Sequence, residues 1–442
     1  MEVNNQEKNN NASKLVKALV FILMFVIFVV CIINIFIPKK TISEFENRKL
    51  VTFPKFSLEK LIDGRFTKDL DNYFSDNFIL RDRLILLSKK MDYFKSIASL
   101  IKNNEDVTIV LPKSGAMMEI INVSTESSVD IEKDDFSKFF QENSNDINEV
   151  IECENEYIIY KGIPYVSCGI SIKENIDDFV KVLNLYKNYF PNATISSIPV
   201  PTSALFLNNT KMRDVSRKMV NDIELVKEKC GKYNNTINVC KTLLEHKDKK
   251  VYFDFDHHWT HLGAYYAYTD FCKSIGLSPV PIEMMEKKIL NEKWQGSTYR
   301  FTYDERFKDG SDEVIAYLPT KENKMYLIDN HTGVILEKDS CITKEKDSYI
   351  AFIGGDYPIT LINVPDNPQD KNVLVLKDSY GNAFSTFLTE HYGNIVILDP
   401  RMVQNNILEY LKGFNFSDII FIEMLNNISG VDSNNRLKRI IE

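Results

Sequence analysis

Residues 372–384 read NVLVLKDSYGNAF. The first five are continuously apolar, the pattern of a strand buried on both faces, as in a parallel sheet. Lys377–Asn382 then carries turn residues and leads into a helix. Such a unit sets Ser379 at the carboxyl end of a parallel strand, where open α/β sheets bind ligands. It also sets Ser379 at the start of a helix, whose first backbone N–H groups lack partners. A nucleophile in acyl transfer needs that combination of exposure and donors for a developing oxyanion. The plainer alternative is a serine that only caps the helix.

The flanking sequence repeats the alternation. Short apolar runs at Tyr157–Tyr160, Ala193–Val200, Thr236–Val239, Ile395–Leu398 and Asp418–Glu423 predict strands. Helical spacing at Asp177–Tyr189, Arg213–Lys229, His261–Ile275, Val403–Lys412 and from about Asn382 predicts helices between them. The fold class is therefore α/β, a three-layer α/β/α arrangement around a parallel sheet. Residues 278–370 break the pattern. Alternation at Val314–Leu318, Met325–Ile328 and Tyr349–Ile353, among many Gly, Asp and Asn, predicts a β-rich insertion of antiparallel strands near the site. Asn122–Asp146 is rich in Ser, Asn, Asp and Glu and reads as a mobile surface loop.

A serine is a weak nucleophile at neutral pH and needs a base, which in turn needs an orienting group. Residues 253–263, FDFDHHWTHLG, hold three of the six histidines in the chain. Asp256 and His258 are two apart, and in an extended segment residues i and i+2 project to one side. One carboxylate can then hold His258 by one ring nitrogen and leave the other for Ser379, with His257 directed away. Thr260 suits the N-cap of the helix that follows. Asp254, Asp256, His258 and His261 are also all capable metal ligands, but they match neither HExxH nor any closed Cys/His pattern. A third reading is a polar cluster that only starts a helix.

Ala18–Ile37 is twenty residues without a charge, interrupted only by Asn34. A helix of that length rises about 30 Å, the thickness of the hydrocarbon core. Pro38-Lys39-Lys40 follows in place of a cleavage site, so the span reads as an uncleaved anchor. Lysines flank it on both sides, and the positive-inside rule does not decide orientation. With one span, the large domain after it is expected outside the membrane. The resulting division is a cytoplasmic tail at 1–17, the anchor at 18–37, a helical linker at 38–95 and the α/β domain at 96–442. In the linker Phe66, Leu70, Tyr73, Phe74 and Phe78 fall on one helical face between Gly64 and about Leu87, and two short helices are expected.

The net charge is −8; residues 41–442 hold 49 basic against 60 acidic residues, a net of −11. That balance excludes nucleic acid as a natural partner. The seven cysteines show no CxxC and no zinc-like spacing. Cys230 and Cys240 are the best candidates for a disulfide, with buried free thiols as the alternative. No cofactor is implied.

Three blocks in order resemble a known family. Asp256-His257-His258-Trp259 resembles the motif that names the DHHW proteins. Glu46-Asn47-Arg48, Phe53-Pro54, Gly64-Arg65-Phe66, Tyr73, Asp76-Asn77-Phe78 and Arg81-Asp82 resemble their amino-terminal block. Asp378–Phe384 with Asp399-Pro400-Arg401 resembles their carboxy-terminal block. Lys377 departs from the family pattern, standing where a GDS-like motif has Gly. These proteins are similar to the SGNH-hydrolase-like domains of the alginate O-acetyltransferase system. The resemblance implies a triad of Ser379 as nucleophile, His258 as base and Asp256 as orienting carboxylate. It implies Arg401 as an oxyanion or substrate cation, with Tyr380 and Asn382 beside the nucleophile, and Gly296-Ser297 as a source of a second oxyanion N–H. It further implies an extracytoplasmic O-acyltransferase or esterase, with acetyl the expected group and a cell-surface or secreted polysaccharide the substrate. The partner implied is a multi-spanning membrane-bound O-acyltransferase (MBOAT-like). A non-catalytic glycan-binding or scaffold protein with the same fold is the alternative.

Overall fold

The computed structural model describes residues 48–78 and 151–442, apart from short gaps, and isolated positions elsewhere. The anchor predicted over 18–37 and the loop predicted over 122–146 fall almost wholly outside the described residues. Among the described residues no helix is long and apolar enough to cross a membrane.

The chain divides into two units, Met1–Ala98 and Ser99–Glu442. In the first, β1 (Ile42–Ser43) pairs antiparallel with β2 (Arg48–Lys49), and α1 (Leu58–Ile62) precedes α2 (Arg65–Asp76). Tyr73 of α2 packs edge-on against Phe53, and Phe66 against Phe56. Helix α2 stops at Asp76, because the Asn77 side chain donates to the carbonyls of Tyr73 (3.0 Å) and Val51 (2.8 Å).

The second unit opens with an antiparallel three-stranded sheet, β3 (Ile151–Glu154), β4 (Tyr157–Tyr160) and β5 (Ile163–Val166). The predicted strand at Tyr157–Tyr160 is thus real but lies outside the main sheet. The elements of the main body are α3 (Lys173–Tyr189), β6 (Thr194–Val200), α4 (Arg213–Cys230), β7 (Asn235–Thr236), α5 (Cys240–Glu245) and α6 (His261–Ser274). The ribbon β8 (Lys287–Trp294), the short α7 (Thr298–Thr302) and β9 (Asp312–Tyr317) follow, then β10 (Lys324–Ile328), β11 (Ile335–Lys338) and β12 (Ile359–Asn363). The carboxy-terminal part is β13 (Asn372–Lys377), α8 (Tyr380–Ser385), β14 (Asn394–Leu398), α9 (Leu408–Leu411), β15 (Phe416–Met424), α10 (Leu425–Ile428) and α11 (Val431–Arg439).

Eight strands form one sheet in the order β11-β10-β12-β14-β13-β15-β6-β7. The run β14-β13-β15-β6-β7 is parallel, while β12, β10 and β11 add antiparallel to its edge. The sheet is therefore mixed. Half of the region expected as a separate insertion extends it, and β8 with β9 makes a ribbon of its own. Strand β13 is buried at all six positions. Val373 and Val375 join one apolar cluster with Ala264, Phe271 and Phe384, whereas Leu374 and Leu376 join a second with Phe179, Tyr186 and Leu437. That division over successive residues is why the run shows no polar alternation.

Three further expectations are corrected. Tyr349–Ile353 is a 3₁₀ turn at Tyr349–Ala351, not a strand. The helix expected from Val403 begins only at Leu408, whose N–H the Asn406 side chain accepts at 2.8 Å, fixing a late start. Cys230 and Cys240 are free buried thiols, and they pack in the two different clusters.

Candidate active site

The loop that carries His258 is a tight reversal. Tyr252 and Trp259 form an antiparallel bridge, and Thr260 N–H donates to the Val251 carbonyl at 3.0 Å. Thr260 caps α6 by accepting from Gly263 N–H at 3.2 Å. The tip between is pinned from outside. Asp312, at the start of β9, accepts the backbone N–H of Asp254 (3.1 Å) and Phe255 (2.7 Å) and an ion pair from Lys250 (3.0 Å).

Asp256 is 4 % exposed. Its Oδ1 accepts from His258 Nδ1 at 2.6 Å and from His258 N–H at 3.0 Å, and its Oδ2 accepts from Ser297 N–H at 2.9 Å. Burial opposes the charged carboxylate, but the fields of His258 and His257 and the hydrogen bonds from His258 and Ser297 outweigh it and hold the group well below the usual range. An ionised Asp256 only accepts, so Nδ1 of His258 carries a proton. In the neutral ring Nε2 is then the acceptor, and it lies 2.7 Å from Ser379 Oγ. Ser379 stands at the N-cap of α8 but makes no capping hydrogen bond. Asp256, His258 and Ser379 thus form one continuous chain of hydrogen bonds, drawn from a loop and a strand end 121 residues apart.

Gly296 lies where a Cβ would meet the Phe255 carbonyl at 2.2 Å and Asp256 Cβ at 2.6 Å. Its lack of a side chain lets the following Ser297 reach Asp256, and Ser297 N–H is therefore committed to the carboxylate, not open to an oxyanion. Other donors expected free at the helix start are also engaged. Tyr380 N–H donates to Asp378 Oδ1 (2.9 Å), Gly381 N–H to the Asp378 carbonyl (3.1 Å) and Asn382 N–H to the Ser379 carbonyl (3.2 Å). The Ser379 N–H carries no hydrogen bond among the described residues. Tyr380 is buried. Its hydroxyl donates to the His257 carbonyl, and its carbonyl accepts from Trp259 Nε1 at 3.0 Å.

The histidines sort differently from the sequence expectation. The His257 ring does not turn away; it lies 3.8 Å from that of His258, and its Nδ1 is 2.7 Å from Ser297 Oγ. His261 is fully buried, accepts Tyr317 N–H at Nδ1 (2.9 Å) and meets Thr386 Oγ1 at Nε2 (2.8 Å). Burial lowers its pKa to about 3, so it is neutral. Asp254 pairs with Lys250. The four candidate metal ligands therefore do not converge. Among the described residues, Asp256, His257 and His258 are the trio with ligand atoms within 4.8 Å of one another, but Asp256 and His258 already spend theirs on each other, Ser297 and Ser379.

Beneath Ser379 lies a buried charge cluster that no local motif announces. Lys377, 1 % exposed, donates from Nζ to Asp356 Oδ1 (2.8 Å) and lies 3.2 Å from Asp399 Oδ2. Arg401 directs Nε at Asp399 (2.8 Å) and Nη2 at Asp356 (2.8 Å) and Asp399 (2.5 Å). Asn382 Nδ2 adds a bond to Asp356 at 3.0 Å. The cation and the amide that the resemblance assigns to the oxyanion or substrate are thus held by these two aspartates. Lys377→Met strands Asp356 and Asp399 beside one remaining cation and is expected to cost about 3–5 kcal/mol in a denaturant unfolding titration.

Asp378 and Glu423 lie side by side at the strand ends. Burial and the field of Asp378 push the Glu423 carboxyl up to about 8, from an ordinary 4.5. The folded chain then binds more protons than the unfolded chain between those values, so Glu423 removes stability as pH rises from 4.5 to 8. Glu423→Gln is expected to flatten that decline, as read from urea midpoints at the two ends of the window.

The family model described as DHHW protein matches residues 46–113 and 119–398. No curated protein matches the chain. Among solved structures, a DHHW family protein from Eubacterium siraeum is 21% identical, with a TM-score of 0.58 over 66% of this chain and 98% of its own. Bacillus cereus PatB1 is 18% identical, with a TM-score of 0.53 over 66% of this chain and 100% of its own; its structure with a sulfonyl adduct matches at 17% and 0.51, over 66% and 98%. The O-acetyltransferase domain of Pseudomonas putida AlgJ overlaps more loosely, at 12% identity and a TM-score of 0.35 over 60% of this chain and 89% of its own. At these identities the likeness is one of fold. The family match runs through most of the chain, including the Asp256–Trp259 motif and Ser379, and the chain belongs to the DHHW protein family.

Proposed function

We propose that the protein is an SGNH-like serine acyl-transfer enzyme, an O-acetyltransferase or esterase acting on a cell-surface or secreted polysaccharide. The observation that carries this reading is the hydrogen-bonded run Asp256–His258–Ser379, with 2.6 Å and 2.7 Å steps. His258 Nε2 takes the Ser379 proton as Oγ attacks the acyl carbonyl, while Asp256 keeps the other ring nitrogen protonated and stabilises the imidazolium. The Ser379 N–H, which has no partner among the described residues, is the candidate donor to the oxyanion. Collapse of the tetrahedral species returns the proton from His258 to the leaving group and leaves acyl-Ser379. A sugar hydroxyl or water then gives its proton to His258 and attacks the ester, and the second collapse restores the serine.

The sulfonyl adduct of PatB1, whose fold is shared, supports sulfonyl reagents as probes of this site. The same reading takes 18–37 as a membrane anchor, with the α/β unit on the extracytoplasmic side and a multi-spanning O-acyltransferase as the source of acyl groups. Aryl-acetate hydrolysis by the purified full chain in detergent, compared with Ser379→Ala, tests the reading. Equal rates would turn it toward the glycan-binding or scaffold alternative.

A further inference from the structure

Tyr349 lies on the 3₁₀ turn of the β-rich region, far in sequence from both motifs, and is 2 % exposed. Its ring stacks on the His258 imidazole with centroids 3.9 Å apart and planes 9° from parallel. The His257 ring lies 3.8 Å from the same imidazole, tilted by 39°. Of the three rings around the imidazole, those of His257, Tyr349 and Tyr380 (5.2 Å, 59°), only that of Tyr349 lies parallel to it. The Tyr349 hydroxyl is 3.4 Å from the Tyr380 carbonyl, on the residue after the nucleophile. One side chain therefore touches the base by its face and the nucleophile turn by its tip. Burial, with the fields of Asp256 and Asp378, keeps its phenol well above the ordinary range and so neutral.

The backbone that presents this ring is strained. Ile353 is fully buried, yet has φ 49, and Gly354 and Gly355 continue at 74 and 95. A β-branched residue in the left-handed region is uncommon and persists only where its surroundings over-determine it. The next residue is Asp356, which holds Lys377 and Asn382 below the Ser379 turn. A single reversed segment, 349–356, thus braces the base at one end and the nucleophile's strand end at the other.

We infer that Tyr349 is a positioning residue that fixes the plane of the His258 ring, so that Nε2 faces Ser379 Oγ while Nδ1 stays on Asp256. The inference rests on the proposed role of His258 as base. An aromatic face also attracts the imidazolium formed when the serine proton moves. A flat ring at position 349 is what the role needs; the hydroxyl is secondary.

The test compares Tyr349→Phe with Tyr349→Leu in the full chain. Phe is expected to keep kcat within about threefold, and Leu to lower kcat by roughly ten- to a hundredfold with KM nearly unchanged, since loss of alignment by about an ångström has that scale. The rate of inactivation by phenylmethylsulfonyl fluoride should fall in parallel for Leu alone. A folded Leu variant with wild-type kcat and inactivation rate overturns the inference, and so does a Phe variant as impaired as Leu. If Leu does not fold, the wild-type chain still decides. Proton NMR of the His258 ring, assigned by His258→Gln, should show carbon-bound protons shifted upfield by the stacked phenol, and unshifted resonances overturn the stack. Failure of the functional reading looks different: Ser379→Ala would then match wild type whatever occupies position 349.

Discussion

Ser379→Ala is expected to lower aryl-acetate hydrolysis by roughly a thousandfold or more, while leaving the unfolding midpoint almost unchanged. The size follows from chemistry: Oγ is the atom proposed to form the covalent bond, and among the described residues no other hydroxyl is hydrogen-bonded to His258 Nε2. The small effect on stability follows from structure. Ser379 makes no capping bond, so alanine forfeits only the contact to His258. A serine that merely started α8 would give the opposite pattern, with a stability loss of about 1 kcal/mol and no kinetic effect.

The second large effect is expected at Asp256. Asparagine keeps the shape but removes the charge, and its amide can present N–H toward His258 Nδ1. The ring then favours the tautomer with the proton on Nε2, which faces Ser379 and cannot take its proton. A fall of roughly 10²–10⁴ in kcat is expected, with KM little changed. Ser297 N–H, which donates to Asp256 Oδ2 in the wild type, also loses a charged acceptor. The pH response separates this from general damage. The depressed carboxyl of Asp256 adds stability at every pH above the ordinary carboxylate range and loses it only in strong acid. The stability gap between wild type and Asp256→Asn should therefore narrow as the pH falls through and below the ordinary carboxylate range, as read from urea midpoints.

Local sequence carried the elements that bury themselves or turn by their own chemistry. The run 372–376 has no polar position because both faces of β13 are covered, and that was readable. The Asp256–His258 spacing and the Ser379 turn were readable for the same reason, since each depends on neighbours within a few residues. What was not readable depends on distant partners. Asp312 supports the Asp254–Phe255 backbone from 57 residues away, and no pattern in its own strand marks it. Tyr349 looked like one member of an apolar strand; the left-handed run Ile353–Gly355 reverses the chain instead, and the pair of glycines before Asp356 was the available hint. Lys377 appeared as a departure from a motif that has Gly, although its side chain neutralises Asp356 and Asp399 under the turn. The edge strands β10 to β12 join the main sheet because β14 offers them a free edge, a fact of topology that composition does not contain.

The proposed chemistry predicts a covalent bond to one named atom. Incubating the full chain with phenylmethylsulfonyl fluoride, then measuring intact mass and mapping the modified peptide, should give one sulfonyl group per chain, located on Ser379. His258→Gln should slow its formation strongly, and Ser379→Ala should abolish it. A chain that remains unmodified under conditions that inactivate ordinary serine esterases, or one modified equally well after Ser379→Ala, would contradict the assignment of Ser379 as the nucleophile.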